Sequence, residues 1–448
     1  MQLFARALPL SRSLPRPAMS TLLSNKLSLS DIKPEQVAGK RVLVRVDFNV
    51  PLKHEAGRGA TITDDSRITA TLPTLQALQA LKPAAIVLIS HLGRPDGSVV
   101  PKYSLAPVAT HLAGLLGSSV TLLTENISTD CEAIRNKLSA ASDGQVFMLE
   151  NIRFSPFEEG KSVVDGKKLT ASKEDIKTFC DALSSFGDIY INDAFGAAHR
   201  AHSSVVGVSL PIRAAGLLME RELRYFSKVL EGPQRPLVAI LGGSKVSDKI
   251  QLIMHLLDLV DSLIIGGAMA FAFKKTIENV KIGNSLFDEE SASLCQQIID
   301  RAKERGVTIH LPVDYVTADR FAPDATVGHA TDASGIPDGM MGLDIGSESA
   351  ENFAKAIRTA KTVVWNGPAG VFEFDAFAKG SSVIADAVVA ATADGATSIV
   401  CGGDTITAAA KFGLTEKFSH VSTGGGASLE LLSGIQLPGV VALSSKSD

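Results

Sequence analysis

The fold is indicated most clearly by residues 237–245, which read LVAILGGSK. Five consecutive apolar residues, including the β-branched Val238 and Ile240, are typical of a strand buried on both faces of a parallel sheet. Two glycines end the run, and Lys245 follows shortly after them. Because open parallel sheets bind ligands at the carboxyl ends of their strands, this turn predicts a site where the backbone closely approaches an anion.

Similar apolar runs recur along the chain, and helical patterns separate many of them. Leu294, Ile298 and Ala302, for example, have the spacing of one helix face. Strands that alternate with helices predict βαβ units and parallel sheets. The runs are residues 41–48, 85–90, 119–123, 146–149, 189–191, 237–241, 262–265, 308–311, 362–365, 398–400 and 420–422.

The length of 448 residues exceeds what one hydrophobic core usually supports, so we expect two domains. A helical pattern over residues 216–230 ends at Gly232, Pro233 and Pro236, which are helix-stop residues. The predicted fold is α/β, with two doubly wound, Rossmann-like parallel-sheet domains joined by a hinge helix. The predicted boundaries are a leader at 1–24, domains at 25–215 and 233–436, the helix at 216–232 and a tail at 437–448. Residues 160–173 read as an exposed loop or hairpin.

Composition disfavours several classes of protein, although net charge leaves a local basic cleft open. The net charge of −4 argues against a nucleic-acid binder. His255, Asp258 and Asp261 interrupt the longest apolar stretch, which argues against a membrane span. The cysteines lack a Cys-x-x-Cys pair, which favours free thiols in a reducing compartment; they are Cys131, Cys180, Cys295 and Cys401.

The first thirty residues contain Arg6, Arg12 and Arg16 but no acid. This composition is found in organelle transit peptides, and equally in a disordered tail or an upstream start codon before Met19. We therefore expect a cytoplasmic protein, or a mitochondrial or plastid one if residues 1–18 are a transit peptide.

Glycine-rich turns follow five strands of the second half: residues 242–245, 266–267, 366–368, 402–405 and 424–426. Backbone N–H groups in such turns can bind phosphate oxygens. The familiar fingerprints are absent, since there is no G-x-G-x-x-G, and Gly160-Lys161-Ser162 lacks the first P-loop glycine because position 155 is Ser.

Charged residues beside these turns fit a nucleotide. Lys245 and Lys249, at helical spacing, would project from one face of a helix N-terminus toward a polyphosphate, or else are surface lysines. Asp404 could ligate Mg²⁺ or cap a helix. Glu373 could bind a ribose hydroxyl or be a surface acid.

Basic and polar residues follow the strands of the first half. Several converging arginines would suit a small, multiply charged anion, although each alone could form a surface ion pair. The candidates are Asp47, Asn49, Arg67, His91, Arg94, Arg153 and Arg200. His199 and His202 could contact the anion, orient a neighbour or be structural, and a metal site there lacks a third ligand. No Gly-x-Ser-x-Gly motif supports serine catalysis.

From about residue 25 to 448 the chain resembles the phosphoglycerate kinase family. The motifs that carry the resemblance are RVDFNVP (45–51), SHLGRP (90–95), LENIRF (149–154), NDAFG (192–196), HRAHSS (199–204) and the segments 242–249, 365–373 and 421–432. The resemblance implies reversible phosphoryl transfer between 1,3-bisphosphoglycerate and MgADP, giving 3-phosphoglycerate and MgATP. It also implies direct in-line transfer after hinge closure, a monomer, and a tail after Leu437 that returns to the first domain.

The resemblance also implies residue roles. Asp47, Asn49, Arg67, His91, Arg94, Arg153 and Arg200 would bind phosphoglycerate. Lys245, Lys249, Gly267, Gly342, Leu343, Asn366, Gly367, Glu373, Gly403, Asp404 and Thr405 would bind the nucleotide, with Asp404 on Mg²⁺. Arg67, Lys245, Lys249, Gly425 and Gly426 would act on the transferring group.

This pattern agrees with the chemistry. A carboxylate acceptor, with a pKa of about 3.5, is already ionised at neutral pH and needs no general base. Positioning and charge neutralisation remain for the protein to supply. Ala268 and Cys401 depart from the family pattern, in which glycine is common, and we expect both to line the nucleotide side.

Two other functions compete with this interpretation. A nicotinamide-dependent oxidoreductase is disfavoured by the missing G-x-G-x-x-G motif. A catalytically silent binding protein is disfavoured because every matched charged position is present.

Overall fold

The computed structural model describes residues 23–55, 59–164 and 166–446. The predicted leader at 1–24, and with it the transit-peptide hypothesis for residues 1–18, lies outside the described residues except for Leu23 and Ser24. The strands in chain order are β1 Arg41–Arg45, β2 Leu52–Glu55, β3 Gly59–Ile62, β4 Ala85–Ile89, β5 Val120–Leu123, β6 Gln145–Leu149, β7 Lys161–Val164, β8 Lys167–Thr170, β9 Ile189–Asn192, β10 Arg213–Ala215, β11 Leu237–Leu241, β12 Ser262–Ile265, β13 Thr308–His310, β14 Asp314–Ala318, β15 Val327–Thr331, β16 Met341–Ile345, β17 Thr362–Asn366, β18 Thr397–Val400 and β19 His420–Val421. The helices are α1 Pro34–Val37, α2 Ser66–Ala80, α3 Ala106–Leu116, α4 Cys131–Ser139, α5 Pro156–Glu159, α6 Lys173–Ser184, α7 Ser203–Val206, α8 Leu217–Leu230, α9 Ile250–Leu256, α10 Ala270–Thr276, α11 Glu289–Arg305, α12 Ser347–Arg358, α13 Lys379–Ala393, α14 Gly403–Lys411, α15 Gly426–Leu432 and α16 Pro438–Val441.

The first half contains a six-stranded parallel sheet in the order β10-β9-β1-β4-β6-β5. Strand β1 lies at its centre, where Val42 is opposite Ile86 on one side and Ile189 on the other. All five residues of β4 are buried, because helices cover both faces of the sheet. The carboxyl ends of β1 and β4 therefore lie side by side at one edge.

The second half contains another six-stranded parallel sheet, in the order β13-β12-β11-β17-β18-β19. Strand β11, the LVAIL run, lies between β12 and β17 and is buried at every position. Leu241 is opposite Ile265 and Asn366, so three glycine-rich turns begin at neighbouring positions. The predicted class, two parallel-sheet α/β domains, is confirmed.

Smaller β-structures accompany the two sheets. The predicted hairpin within residues 160–173 is present as β7 and β8. The hairpin of β2 and β3 and the antiparallel sheet β15-β14-β16 were not predicted. The antiparallel sheet contacts helix α10 of the same half through Tyr315 and Phe271, whose ring centroids are 5.5 Å apart.

Helix α8 is held by both halves of the chain. At its first turn, Asp193, which follows β9, accepts the N–H groups of Leu218 and Met219 at 3.0 and 3.1 Å. In its middle, Glu222 accepts hydrogen bonds from His420 and Thr423 of the second half. The helix is therefore anchored at two points that belong to different sheets.

The tail lies against the first half. Ser444 donates its N–H to the carbonyl of Arg213 at 2.8 Å and accepts the N–H of Leu27 at 2.8 Å. Gly439 donates to the carbonyl of Ala198 at 2.8 Å. Within the described residues, no helix combines the length and apolar character needed to cross a membrane.

Candidate active site

A charged cluster lies just beyond the end of β1. The Asp47 carboxylate accepts a hydrogen bond from the Arg67 guanidinium at 2.6 Å, and Arg67 is supplied by the first turn of α2. Burial alone would raise the pKa of Asp47, but the positive charges of Arg67 and Arg45 help to lower it. Asp47 therefore stays ionised, and it holds Arg67 in place although the arginine is 44% exposed.

Neighbouring loops are tied to this cluster by the side chains of Asn49 and Asn151. The Asn49 amide oxygen accepts the N–H of Gly93 at 2.9 Å. Asn151 accepts the N–H of Leu92 at 3.2 Å and donates to the carbonyls of Leu92 and Tyr103. The loop that carries His91 and Arg94 is thus fixed against the ends of β1 and β6.

Behind the cluster lies a buried network around Arg45. Its guanidinium donates to Ser204 Oγ at 2.8 Å and to His91 Nδ1 at 3.3 Å. Since arginine can only donate, His91 Nδ1 is the acceptor and its proton lies on Nε2. Burial lowers the pKa of His91 to about 3, and Arg45, Arg153 and Arg67 contribute to the shift, so His91 is neutral near pH 7.

Glu158 completes this network. It accepts the Ser204 hydroxyl at 2.6 Å and the Ser204 N–H at 2.8 Å. Burial raises the pKa of Glu158, against the opposing effect of Arg45. The network fixes Arg45 beneath the cluster, and sequence reasoning missed it because Arg45 and Glu158 read as ordinary members of a strand and of an exposed turn.

The other predicted arginines surround the cluster. Arg153 donates to the Gly93 carbonyl at 3.0 Å and pairs with Glu159 at 2.8 Å. Arg94 and Arg200 are exposed, and within the described residues neither guanidinium has a hydrogen-bond or ion-pair partner. Two unpaired guanidiniums beside a buried basic network are suited to an anionic ligand.

The first-half cluster meets the last glycine turn of the second half. A Cβ atom on Gly196 would lie 2.8 Å from Asp47 Oδ2 and 3.6 Å from the Thr423 carbonyl oxygen. A Cβ on Gly426 would lie 3.7 Å from His199 Nε2. Asp47 of the first-half cluster and His199 therefore lie next to the glycine turn 424–426.

His199 and His202, the two histidines considered from the sequence, are both partly buried. Burial lowers the pKa of both, to about 3 for His202, where neighbouring arginines add to the effect. His202 Nδ1 lies 3.9 Å from Glu158. Among the residues that the structure covers, no cluster of three His, Cys, Asp or Glu side chains is placed to hold a metal ion.

The glycine turns of the second half pack directly on one another. A Cβ on Gly242 would lie 1.9 Å from the Pro368 carbonyl oxygen, and one on Gly367 would lie 2.2 Å from the Gly242 carbonyl oxygen. A Cβ on Gly267 would lie 2.7 Å from the Gly243 nitrogen. Only glycine permits this spacing, so the ends of β11, β12 and β17 form one continuous backbone surface.

Asn366 connects this surface to two further turns. Its amide donates to the Cys401 carbonyl at 2.9 Å, and its oxygen accepts from Lys249 Nζ. The Thr405 hydroxyl accepts the N–H of Gly367 at 2.7 Å. Burial lowers the pKa of Lys249, and the negative charge of Asp404 opposes that shift. These predicted nucleotide residues are therefore brought together by direct contacts.

The prediction that Lys245 and Lys249 project from one helix face is wrong. Residues Ser247–Lys249 form a 3-10 turn, and α9 begins only at Ile250. The hydroxyl of Ser291 accepts the N–H groups of Val246 and Ser247 at 3.0 and 3.3 Å, which holds the segment outside the helix. Lys245 remains exposed, whereas Lys249 reaches inward to Asn366.

A cavity of about 540 Å³ opens beside the glycine turns, a volume in the range of small-molecule sites. Its wall includes Gly243 of the first glycine turn and five of the predicted nucleotide residues: Gly267, Gly342, Leu343, Glu373 and Asp404. Aromatic residues that the sequence did not single out, Phe271, Tyr315 and Phe321, complete it. They come from α10 and from the antiparallel region that was not predicted, and neither segment carries a recognisable sequence motif.

The two departures from the family pattern differ in position. Ala268 lines the cavity. Cys401 does not, contrary to expectation, because it is fully buried and its Sγ lies 3.7 Å from the Asn366 amide nitrogen. Burial raises the pKa of Cys401 to about 12, so the thiol is protonated and acts as a small apolar residue.

The carboxylate of Asp404 fits a magnesium ion that is held mainly by the phosphates of a bound nucleotide. Asp404 is exposed in the first turn of α14 and lines the cavity. In the described part of the chain its carboxylate has no hydrogen-bond or ion-pair partner. Mg²⁺ is commonly held by one or two carboxylates together with phosphate oxygens and water, so the single carboxylate of Asp404 fits an ion whose other ligands come from a bound phosphate and water.

Comparisons with known proteins agree with this geometry. A family model described as Phosphoglycerate kinase matches residues 29–435. A protein named phosphoglycerate kinase from Funneliformis mosseae is 58% identical over 95% of this chain and all of that protein. One from Yarrowia lipolytica is 56% identical over 95% of this chain and 99% of that protein. The solved structure of phosphoglycerate kinase from Coxiella burnetii matches with a TM-score of 0.81 and 38% identity, covering 93% of this chain and 98% of that one.

Proposed function

The chain belongs to the phosphoglycerate kinase family, and on that premise we propose how its site performs the reaction. It is a glycolytic and gluconeogenic kinase that transfers a phosphoryl group reversibly between 1,3-bisphosphoglycerate and MgADP, giving 3-phosphoglycerate and MgATP. Family membership removes the nicotinamide oxidoreductase alternative.

One observation carries the proposal for direct transfer between the two ligands. Gly196 lies between the Asp47 carboxylate and the Thr423 carbonyl, and we propose that the basic cluster and the last glycine turn border one gap that opens beside it. A carboxylate bound at the first and a nucleotide phosphate reaching the second would face each other across it. Transfer would then be in line, without a covalent intermediate on the enzyme.

The first half would bind phosphoglycerate. Arg94 and Arg200, exposed and unpaired among the described residues, would bind its phosphate together with Arg153. Neutral His91 would donate a hydrogen bond without adding charge, since its Nε2 carries the proton. Asp47 and Asn49 would fix the loops, and Asp47 would hold Arg67 toward the transferring group.

The second half would bind the nucleotide in the cavity beside the glycine turns. Gly267, Gly342, Leu343 and Glu373 would contact the nucleoside. Lys245 and Lys249, together with Asn366, Gly367, Gly403 and Thr405, would surround the phosphates. The backbone N–H groups of Gly425 and Gly426 would stabilise the moving phosphoryl group; Gly425 has φ +52°, a conformation that favours glycine.

No general base is needed, because the attacking carboxylate is already ionised. The work of the site is to neutralise charge and to align the ligands. Mg²⁺, held by Asp404 and phosphate oxygens, would offset the negative charge of the polyphosphate. Arg67 and the lysines would offset the remainder.

Helix α8 would act as the hinge. Asp193 and Glu222 attach it to opposite halves, so a rotation of the helix would move the two binding surfaces relative to each other. We further propose that the enzyme is a cytoplasmic monomer with domains at 25–215 and 233–436, and that it binds neither nucleic acid nor membranes.

A coupled assay for ATP formation from 1,3-bisphosphoglycerate and MgADP tests the function. We expect turnover that depends on Mg²⁺ and falls in Asp404→Asn, whereas the matched surface variant Asp324→Asn keeps wild-type activity. A folded protein that binds MgADP but forms no ATP would support the remaining alternative, a catalytically silent binding protein.

A further inference from the structure

A second cavity lies away from the proposed active site. It encloses about 480 Å³ between the tail, the C-terminal end of α8 and the segment that follows α15. Apolar side chains form most of its wall, among them Leu230, Leu431, Ile435, Leu437 and Val440. None of the residues proposed for phosphoryl transfer lines it, so it could be occupied independently of the substrates.

One cationic group in this cavity is unsatisfied. Arg213 lies on its wall, and in the described part of the chain its guanidinium has no hydrogen-bond or ion-pair partner. Its backbone is fixed, because Arg213 N–H donates to Ser444 Oγ at 3.3 Å and its carbonyl accepts the Ser444 N–H at 2.8 Å. A half-buried guanidinium on a fixed backbone favours an anionic acceptor.

The neighbouring cation, Lys26, is bonded to the backbone of the tail. Lys26 is 7% exposed, and its ammonium donates to the carbonyls of Val441 and Leu443 at 3.3 and 3.2 Å. These bonds hold the tail over the cavity. Lys26 therefore shapes the wall, whereas Arg213 remains available to a ligand.

The other ionisable groups on the wall do not pair with Arg213. The Glu231 carboxylate accepts the N–H groups of Leu23 and Ser24 and, at 2.7 Å, the Ser24 hydroxyl. Burial lowers the pKa of His255, so this histidine carries no charge at neutral pH. The cavity thus combines an apolar wall with three charged side chains, Lys26, Glu231 and Arg213, of which the Arg213 guanidinium alone has no partner among the described residues.

We propose that this cavity binds an amphiphilic monoanion, an aliphatic chain of medium length with one carboxylate or phosphate head group on Arg213. The chain would lie along Leu230, Ile435 and Val441, the wall residues that still expose apolar surface, and would remove that surface from water. The guanidinium would bind the head group with two parallel hydrogen bonds. The volume suits one such chain and is in the range of small-molecule sites.

Isothermal titration of the full-length protein with decanoate, decyl phosphate and decan-1-ol, each below its micelle concentration, tests the proposal. We expect one site per chain for the anions and binding of decanol that is weaker by roughly tenfold, the scale of one charge-assisted contact. The Arg213→Met variant should reduce anion affinity by a similar factor and leave decanol unchanged. The matched surface variant Arg358→Met should change neither.

Two further measurements separate this cavity from the active site and from misfolding. Decanoate should still bind at one site per chain in the presence of saturating 3-phosphoglycerate and MgATP; its complete displacement by the substrates would place the anion in the active site and overturn the proposal. The Ile435→Trp variant, at a side chain that is 40% exposed, should weaken the binding of all three ligands even if Arg213→Met fails to fold. Equal affinity for decanoate and decanol, or unaltered binding in both variants, would also overturn it. The tighter of the two anions identifies the head group.

Discussion

Replacing Glu222 with glutamine should loosen the connection between α8 and the glycine turn. Glu222 is 1% exposed and accepts four hydrogen bonds: from His420 Nε2 at 2.6 Å, from Ser422 Oγ at 2.8 Å, and from the Thr423 N–H and hydroxyl at 2.7 and 2.9 Å. Glutamine keeps the volume but removes the charge and turns one acceptor into a donor. A hydrogen bond to a charged group contributes about 1.5–3 kcal/mol, and a neutral one about 0.5–1.5 kcal/mol.

The loss of about 1 kcal/mol for each of the four bonds, reduced by local relaxation, amounts to about 3 kcal/mol. For a unit of roughly 200 residues this corresponds to a fall in melting temperature of about 6–12 °C. Circular dichroism during heating measures the fall, and the coupled assay should show reduced turnover because the glycine turn is no longer fixed against the first half. The control is Glu351→Gln, at an exposed side chain paired only with Arg358, which should shift the melting temperature by less than about 2 °C. A Glu222→Gln shift as small as that of the control would refute the reasoning.

Three further predictions concern the site itself. Arg67→Ala should reduce turnover by roughly 10²–10³, the scale for one preorganised charge contact, and near-normal turnover in the steady-state assay would reject its role at the transferring group. Lys245→Ala should impair catalysis with little change in melting temperature, because the side chain is exposed; an equally large loss of thermal stability would indicate a structural lysine. His91 should stay neutral well below pH 6 in an NMR titration of its imidazole, since burial lowers its pKa to about 3. Below about pH 6.5 the His91 imidazole binds a proton in the unfolded chain but not in the native state. His91 therefore contributes a loss of stability as the pH falls from about 6.5 toward 3, and His91→Gln should weaken that dependence in urea unfolding at pH 7 and pH 5.

Much of the architecture could be read from the chain because buried parallel strands carry an unmistakable local pattern. The LVAIL run of β11 and the AIVLI run of β4 are apolar at every position, and each is followed by a turn of the candidate site. The sheet β15-β14-β16 was not predicted, because its strands lack such a pattern. Its strands mix Asp314, Gly328 and His329 with apolar residues, so their period is weak and only tertiary packing reveals them.

The sequence predicted the parts of the candidate site that are glycine turns or charged residues directly after a strand. It did not predict polar side chains whose partners are distant in sequence. Glu222 lies 198 residues from His420 in sequence and reads as one more acid on an amphipathic helix. Arg45 likewise reads as a strand residue, although it is 1% exposed and organises His91 and Ser204.

The gap between the two halves is the feature on which the proposed mechanism depends. A crystal structure of the chain with 3-phosphoglycerate and MgADP tests it most directly. The mechanism predicts the phosphoglycerate phosphate on Arg94, Arg153 and Arg200, and its carboxylate beside Arg67. It also predicts that this carboxylate faces the nucleotide phosphates across the turn 424–426. Ligands bound on surfaces that do not share this gap, with the carboxylate turned away from the nucleotide, would contradict it.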